Sequence, residues 1–453
     1  MKWLSWNAKA AGLTLACAAL AHAAGPDVRL ITLDPGHFHA ALIQKQMLPG
    51  MSEMVRVYAP LGPDLAAHLN RIAAFNSRAD NPTKWKLEIY AGADFLERML
   101  ANHDGNVVVL SGRNRGKIER VRASIGAGLH VLADKPWILE AAEMPRLEAA
   151  LEEADRARLV AYDAMTQRFE ISCILPRELV NDPEVFGKLL AGTPSEPGAH
   201  MESMHHLLKE VAGVPNLRPA WFFDTEHQGE GLTDVGTHLV DLIMWTLFPG
   251  QAIDFSKDIR ILEGARWPTV LSEEQFRRVT GERRFPGRDG SFEYFCNNRV
   301  KYTIRGVHVA LDVRWNFEAA PGMSDTSLAV FRGSRASVEV RQGAEEKFIP
   351  EVYVVPVSAA EKEKVERALA ARLSRLKDKY AGLAVEDQGS RFHIVIPAAL
   401  RISHEDHFAL LVDRFLGYLR RPETLPAWEK PNMLAKYYVT TQGVALGRAK
   451  AGR

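Results

Sequence analysis

The chain has 453 residues, a formal net charge of +1 and a hydrophobic fraction of 47%. That length suits two or three ordinary domains, and the composition is that of a globular protein, not of a disordered or fibrous one. A near-zero charge without a long Lys/Arg block argues against a broad nucleic-acid-binding face, so no nucleic-acid partner is expected.

The first residues read as a targeting segment. Lys2 and Lys9 accompany an apolar run over 10–20 that is too short to anchor stably in a bilayer. Ala21-His22-Ala23 is a small-x-small site, followed by Ala24-Gly25-Pro26. This pattern predicts a Sec-type signal peptide over 1–23, cut near Ala23, and an exported, periplasmic or secreted protein with no membrane contact after cleavage. Thr14-Leu15-Ala16 ahead of Cys17 is a poor match to a lipoprotein signal. Cys173 and Cys296 remain and are expected to be free, buried thiols, since a large core needs no staple.

From residue 28 to about 162, short apolar runs alternate with amphipathic stretches. Strands are predicted at 28–33, 54–58, 85–90, 106–110, 130–133 and 159–162, with helices at 38–47, 64–75, 93–102, 116–127 and 140–157. Such alternation predicts βαβ units with right-handed crossovers and a doubly wound parallel sheet. Farther on, near-consecutive runs at 300–304, 307–317, 327–331 and 336–340 predict an open, mostly antiparallel sheet. Helices are expected at 173–180 and 232–246, with a charged amphipathic helix at 359–380. A helix at 405–419 is expected to dock back on the body. The stretch from about 255 to 290, rich in Arg, Glu and Pro, reads as an insertion. The expected fold class is α/β: a Rossmann-type dinucleotide-binding domain over 27–162 and an α+β substrate or oligomerisation domain over 163–453.

Within the first domain, "LITLDPGHFHAAL" at 30–42 is a strand, a tight turn and a helix start. A dinucleotide-binding turn carries G-x-G-x-x-G; here the three positions hold Asp34, Gly36 and His39. Gly36 stands where backbone approaches a pyrophosphate, and a helix N-terminus follows. Asp34 would bring negative charge there unless it points away, and His37 or His39 could offset it. Read as a metal pair, His37 and His39 lack an obvious matching Cys or carboxylate, so no metal is expected. His205-His206 is read the same way.

Three further segments carry chemistry. "GLHVLADKPW" at 128–137 places Lys135 at the carboxyl end of a short buried strand, where open α/β sheets bind ligands, and Pro136 fixes the turn. An ordinary surface turn accounts for it equally well. "GEGLTDVGTHLVDLIMW" at 229–245 opens a helix on which Asp234 and His238 share a face, with Asp241 one turn on from His238. The pair suits proton transfer, because imidazole titrates near neutrality and a carboxylate can orient a hydroxyl. A capping Asp and a packed His are the bland alternative. "YDAMTQRFE" at 162–170 offers Gln167 and Arg168 to a cleft or to the surface.

Together these segments resemble the oxidoreductases named for glucose–fructose oxidoreductase, inositol dehydrogenase and a rhizopine-catabolism protein (Gfo/Idh/MocA). "VVVLSGRNRGKIERVRASIGAGLHVLADKPW" is similar to that family's strand, polar loop, helix and E-K-P signature, with Asp134 in place of Glu. "WFFDTEHQGEGLTDVGTHLVDLIMW" resembles its D-x-G-x-H-x-x-D signature, and "SLAVFRGSRASVEV" its sheet strands. "KPNMLAKYYVTTQGVALGR" resembles the terminal helix of a branch with a distinct C-terminal domain. The resemblance implies an NAD cofactor. NADP stays open, because Tyr58-Ala59-Pro60 ends the second strand without an acidic residue or a clear Arg. It implies cofactor contacts at Gly36, His37, Phe38, Ser111, Arg113, Asn114, Asp134, Lys135 and Pro136. It implies catalysis by Lys135, Asp234 and His238, with Arg168, Asp234 and His238 on the substrate. The chemistry agrees: a base must take the hydroxyl proton as hydride leaves, and a nearby cation favours the developing alkoxide.

The expected function is an exported oxidoreductase acting on a secondary alcohol of a sugar, cyclitol or glycoside. One alternative is a redox-neutral glycoside hydrolase or lyase with resident NAD, which suits a compartment without a nicotinamide pool. Another is a non-catalytic carbohydrate-binding relative. The resemblance also implies a homo-oligomer built on the open sheet face.

Overall fold

The computed structural model describes residues 28–211, 214–215 and 217–451. The expected signal peptide, Cys17 included, lies outside the described residues. Six parallel strands come first: β1 (Leu30–Leu33), β2 (Met54–Ala59), β3 (Lys86–Ala91), β4 (Val107–Leu110), β5 (His130–Ala133) and β6 (Ala161–Asp163). Their order is β3-β2-β1-β4-β5-β6. Helices α1 (His39–Leu42), α2 (Pro63–Ser77), α3 (Phe95–Asn102), α4 (Lys117–Gly126) and α5 (Met144–Arg156) make the crossovers. β1 and β4 read LITL and VVVL and are buried at every residue, as strands covered on both faces must be. Strand order reverses between β1 and β4, which opens a crevice at their carboxyl ends.

The helix expected at 38–47 is a single turn, α1. The Gln44 carbonyl accepts the Trp85 indole N–H at 2.6 Å, and the Lys45 carbonyl accepts Arg78 at 2.7 Å. Side chains from the next crossover thus take carbonyls that a longer helix would have used.

The second domain holds β7 (Ala199–Leu208), a two-residue pair β8 (Glu210–Val211) and β9 (Val214–Pro215), then β10 (Ile259–Ser272), β11 (Ser291–Ile304), β12 (Val307–Glu318), β13 (Thr326–Arg332), β14 (Ala336–Gln342), β15 (Glu351–Pro356), β16 (Ala384–Asp387) and β17 (Phe392–Val395). Nine of these form one sheet, ordered β10-β11-β12-β7-β13-β14-β15-β17-β16. It is antiparallel except between β12 and β7. Its helices are α6 (Ile171–Val180), α7 (Gly231–Leu247), α8 (Phe255–Asp258), α9 (Glu273–Thr280), α10 (Ala359–Leu376), α11 (His404–Arg420) and α12 (Glu429–Ala451).

The stretch expected as an insertion, 255–290, is regular structure. It supplies β10, which pairs with β11 from Ile259–Ile304 to Ser272–Ser291, and then α9. Its polar composition is that of an edge strand, where charged residues face water. Cys173 and Cys296 are free. Among the described residues no helix is long and apolar enough to cross a membrane.

Two late helices clasp the parallel sheet. On one side Phe408, Leu411 and Phe415 of α11 join the core with Val107, Val109 and Leu132. On the other, Met433 and Tyr437 of α12 pack with Leu110, Val131 and Trp137. α7 is apolar nearly all round, and every residue in it except Asp234 is buried.

A charged cluster ties α7 to this frame. Asp241 accepts two hydrogen bonds from Arg168, at 2.7 and 2.6 Å, and one from Lys436 of α12 at 3.2 Å. Lys436 also pairs with Asp163 at the end of β6, 2.9 Å away, and Arg168 with Glu429 at 2.7 Å. Replacing Asp241 with Asn would leave two buried cations short of a partner. D241N is expected to cost about 3–5 kcal/mol of folding stability; a loss under 1 kcal/mol in chemical denaturation would show that the cluster does not hold α7.

Candidate active site

The turn after β5 and the start of α7 face each other. The Lys135–Pro136 peptide is cis. The Lys135 ammonium donates to Asp234 Oδ1, joining residues 99 apart in sequence. Burial pushes the Asp234 carboxyl up, but the adjacent ammonium outweighs it and the group ends below its usual value. Burial likewise pulls Lys135 down, and Asp234 and Asp134 more than offset it. Lys135 is therefore a fixed cation and not a proton acceptor. His238, one helical turn beyond Asp234, is held well below the ordinary imidazole value, first by burial and then by the Lys135 charge. It is a neutral imidazole with a lone pair to offer.

The α7 helix can start here because Gly231 presses on β11: a Cβ there would stand 2.0 Å from the Cys296 carbonyl oxygen. Glu230, buried at the N-cap, is answered by Arg448 at 2.9 Å, Arg266 at 3.1 Å and Asn298 at 2.8 Å.

The β1–α1 turn lies beside this pair. Asp34 has φ of +48°, and its carboxylate is 3.4 Å from Arg120, which answers the charge that the sequence brings to the turn. Gly36 N–H donates to the Asp34 carbonyl and His37 N–H to the Ser111 carbonyl, at 2.8 and 2.9 Å. Gly112 is required opposite them, since a Cβ there would lie 2.0 Å from the Asp34 oxygen. Trp221 stands over Gly36, and its indole donates to Asp64 at 3.0 Å. Arg113 pairs with the same Asp64 carboxylate, also at 3.0 Å.

Asp134 gathers the turn. Its Oδ2 lies 2.8 Å from His39 Nδ1, 3.4 Å from His37 Nδ1 and 3.2 Å from the Ser111 hydroxyl, while its Oδ1 accepts the Lys135 N–H at 2.9 Å. Phe38 packs its ring against both imidazoles, with centroids 4.6 and 4.5 Å away. The sequence reading lacked a carboxylate for the two histidines; Asp134 is that carboxylate.

Two expected contacts are committed elsewhere. Arg168 was expected on the substrate, yet it is buried and each of its nitrogens is bonded to Asp241 or Glu429. Asn114 was expected on the cofactor. It donates to the Gln228 carbonyl at 2.7 Å and accepts from Lys117 at 2.6 Å, tying two loops together. Lys117 is itself buried, and burial brings its ammonium down to about 8.

Several neighbours escaped sequence reasoning. Asp64 lies in the first turn of α2, past the end of β2. His404 of α11 has its ring 5.4 Å from that of His39 and feels the charges of Asp134 and Lys135. His205 and Arg218 feel the charge of Asp234 from the sheet side. No local motif marks them; they come from distant elements.

Residues 175–448 match the family described as "Putative oxidoreductase C terminal domain". The chain belongs to that oxidoreductase family. It is similar to a solved "putative oxidoreductase" from Parabacteroides merdae, at 42% identity over 94% of this chain and 98% of that one, with a TM-score of 0.92. It also resembles a 3-ketoreductase from Actinomadura kijaniata solved with NADP and TDP-benzene, at 13% identity, 93% and 97% coverage and a TM-score of 0.55. A "putative myo-inositol dehydrogenase" from Sinorhizobium meliloti matches at 13% identity, 93% and 98% coverage and 0.54. The last two likenesses speak for the fold, which is of the Gfo/Idh/MocA type. A comparison with curated proteins gives no match.

The oxidoreductase site yields a direct check on His238. Its ring is expected to stay neutral from pH 8 down past pH 6, and Lys135→Met should move its pKa upward toward the ordinary value of about 6.5. NMR titration of the ring reads both; an ordinary midpoint in the native protein would contradict the assigned environment.

Proposed function

We propose that this oxidoreductase transfers a hydride between a nicotinamide dinucleotide and a secondary alcohol of a sugar-like or cyclitol substrate. The observation that carries the reading is the Lys135–Asp234 pair, set between the two domains with the neutral His238 one turn away.

The residues of the crevice fit a dinucleotide in most respects. Asp64 and Arg113 flank the β2 side, where ribose hydroxyls are held in this fold. Gly36 and Gly112 leave bare backbone at the reversal of strand order, and Lys135 stands at the far end. The grip differs from the glycine-rich pattern, because the Gly36 and His37 N–H groups are spent on protein carbonyls and Trp221 covers Gly36. A nucleotide therefore enters by displacing the indole from Gly36. When bound, the nicotinamide supplies the hydride chemistry.

The chain's own groups do the rest. Asp234, ionised and anchored by Lys135, accepts a hydrogen bond from a substrate hydroxyl and fixes the ring. His238 takes the hydroxyl proton on its unprotonated ring nitrogen. The Lys135 ammonium lies beside the oxygen on which negative charge develops and favours the transition state over the neutral alcohol. In the reverse direction His238 returns the proton. Changing His238 to Ala is expected to lower turnover by about 10²–10⁴-fold with folding intact.

Trp221 and Arg113 close the crevice over Asp64, which favours a nucleotide kept from one turnover to the next. Redox-neutral cleavage of a glycoside is the second reading for that reason. Protein purified natively is expected to release NAD or NADP on denaturation. Net reduced cofactor formed with a sugar or cyclitol supports the dehydrogenase, aglycone release without it supports the second reading, and no nucleotide binding with or without substrate defeats both.

Export belongs to the same proposal, resting on the pattern of residues 1–23. The mature chain recovered from the exported fraction should begin at Ala24; an N-terminus still at Met1 would remove that part.

A further inference from the structure

The β1–α1 turn holds two imidazoles against one carboxylate. His37 Nδ1 lies 3.4 Å from Asp134 Oδ2, and His39 Nδ1 lies 2.8 Å from the same oxygen. The three ligand atoms stand within 4.8 Å of one another, and the shared oxygen also receives the Ser111 hydroxyl.

The geometry points to a divalent transition-metal site formed by His37 Nδ1, His39 Nδ1 and Asp134 Oδ2. Donors around a tetrahedral ion with bonds of about 2.1 Å stand about 3.4 Å apart. The His37–Asp134 separation equals that span, and the His39–Asp134 separation of 2.8 Å needs only a slight opening. Two imidazoles and one carboxylate suit zinc and its neighbours over calcium or magnesium. Three protein donors leave a coordination position for water or an oxygen of a bound ligand.

The surroundings agree. His39 is buried, and so is Asp134. The Ser111 hydroxyl and the Lys135 N–H orient its two oxygens, as partners behind a metal ligand do. Among the described residues no Lys or Arg side chain bonds to this carboxylate. Two other clusters of histidine and carboxylate differ in that respect. Asp312, beside His200 and Glu202, is held by Arg299 at 2.8 Å, and Asp325, beside His205 and His206, by Lys209.

The site is independent of the nucleotide reading, and its test contains neither nucleotide nor substrate. Chelator-treated protein is titrated with Co2+ and followed by visible absorption, with Zn2+ as competitor. One Co2+ per chain is expected, displaced by Zn2+, with a rise in Tm on binding. His37→Gln and His39→Gln should each weaken binding at least about tenfold, while His200→Gln leaves it unchanged. X-ray absorption on the native zinc-loaded protein covers the case of a variant that fails to fold, and is expected to read two imidazoles. No binding at micromolar metal, unchanged binding in the H37Q/H39Q pair, or a donor set without two imidazoles would each overturn the assignment.

Discussion

The structure turns on the Asp241 carboxylate. It sits inside a helix with almost no exposed surface, so water cannot solvate it, and only the Arg168 and Lys436 cations make its burial tolerable. Those cations come from the segment after β6 and from α12. Each also holds a second carboxylate, Glu429 or Asp163, and the Tyr437 hydroxyl donates to Asp163 at 2.9 Å. A satisfied cluster of this kind has few alternative arrangements. It fixes α7 along and around its axis, and with it the His238 and Asp234 side chains, one and two turns toward the N-terminus.

The active site uses charge of the opposite arrangement. Lys135 and Asp234 form a pair, and Asp134 adds its charge to that of Asp234 at the ammonium. A developing alkoxide there meets an ammonium already oriented, in surroundings too dry to screen it. Four imidazoles, His37, His39, His238 and His404, cluster around the same turn. Burial lowers the last three, so these three add lone pairs and not positive charge. The cations around the crevice are Lys135, Arg113 and Arg120, each answered by a carboxylate: Asp234, Asp64 and Asp34.

Much of this was legible in the sequence because it is local. Apolar runs such as VVVL and LITL announce buried parallel strands, and the four-residue spacing of Asp234 and His238 places both on one helical face. What stayed hidden depends on long-range pairing. Arg168 looks like any polar residue at a strand end until Asp241 and Glu429 are folded onto it. The edge strand β10 has the composition of a loop because half of it faces water. His37 and His39 look unmatched because Asp134 lies 95 residues away from His39 in the chain. Asp64 is hidden because the acidic residue comes from the first turn of α2 and not from the end of β2.

The partners of α7 also impose a timetable. Lys436 follows Asp241 by 195 residues and Arg448 follows Glu230 by 218. At a ribosomal pace of about 5–20 residues per second, both carboxylates wait roughly 10–40 s for those cations. A nascent chain cannot bury the most apolar helix of the molecule until its penultimate turns have emerged. The segment is thus exposed from its own synthesis until α12 is made, and it is the natural place for a holdase to grip.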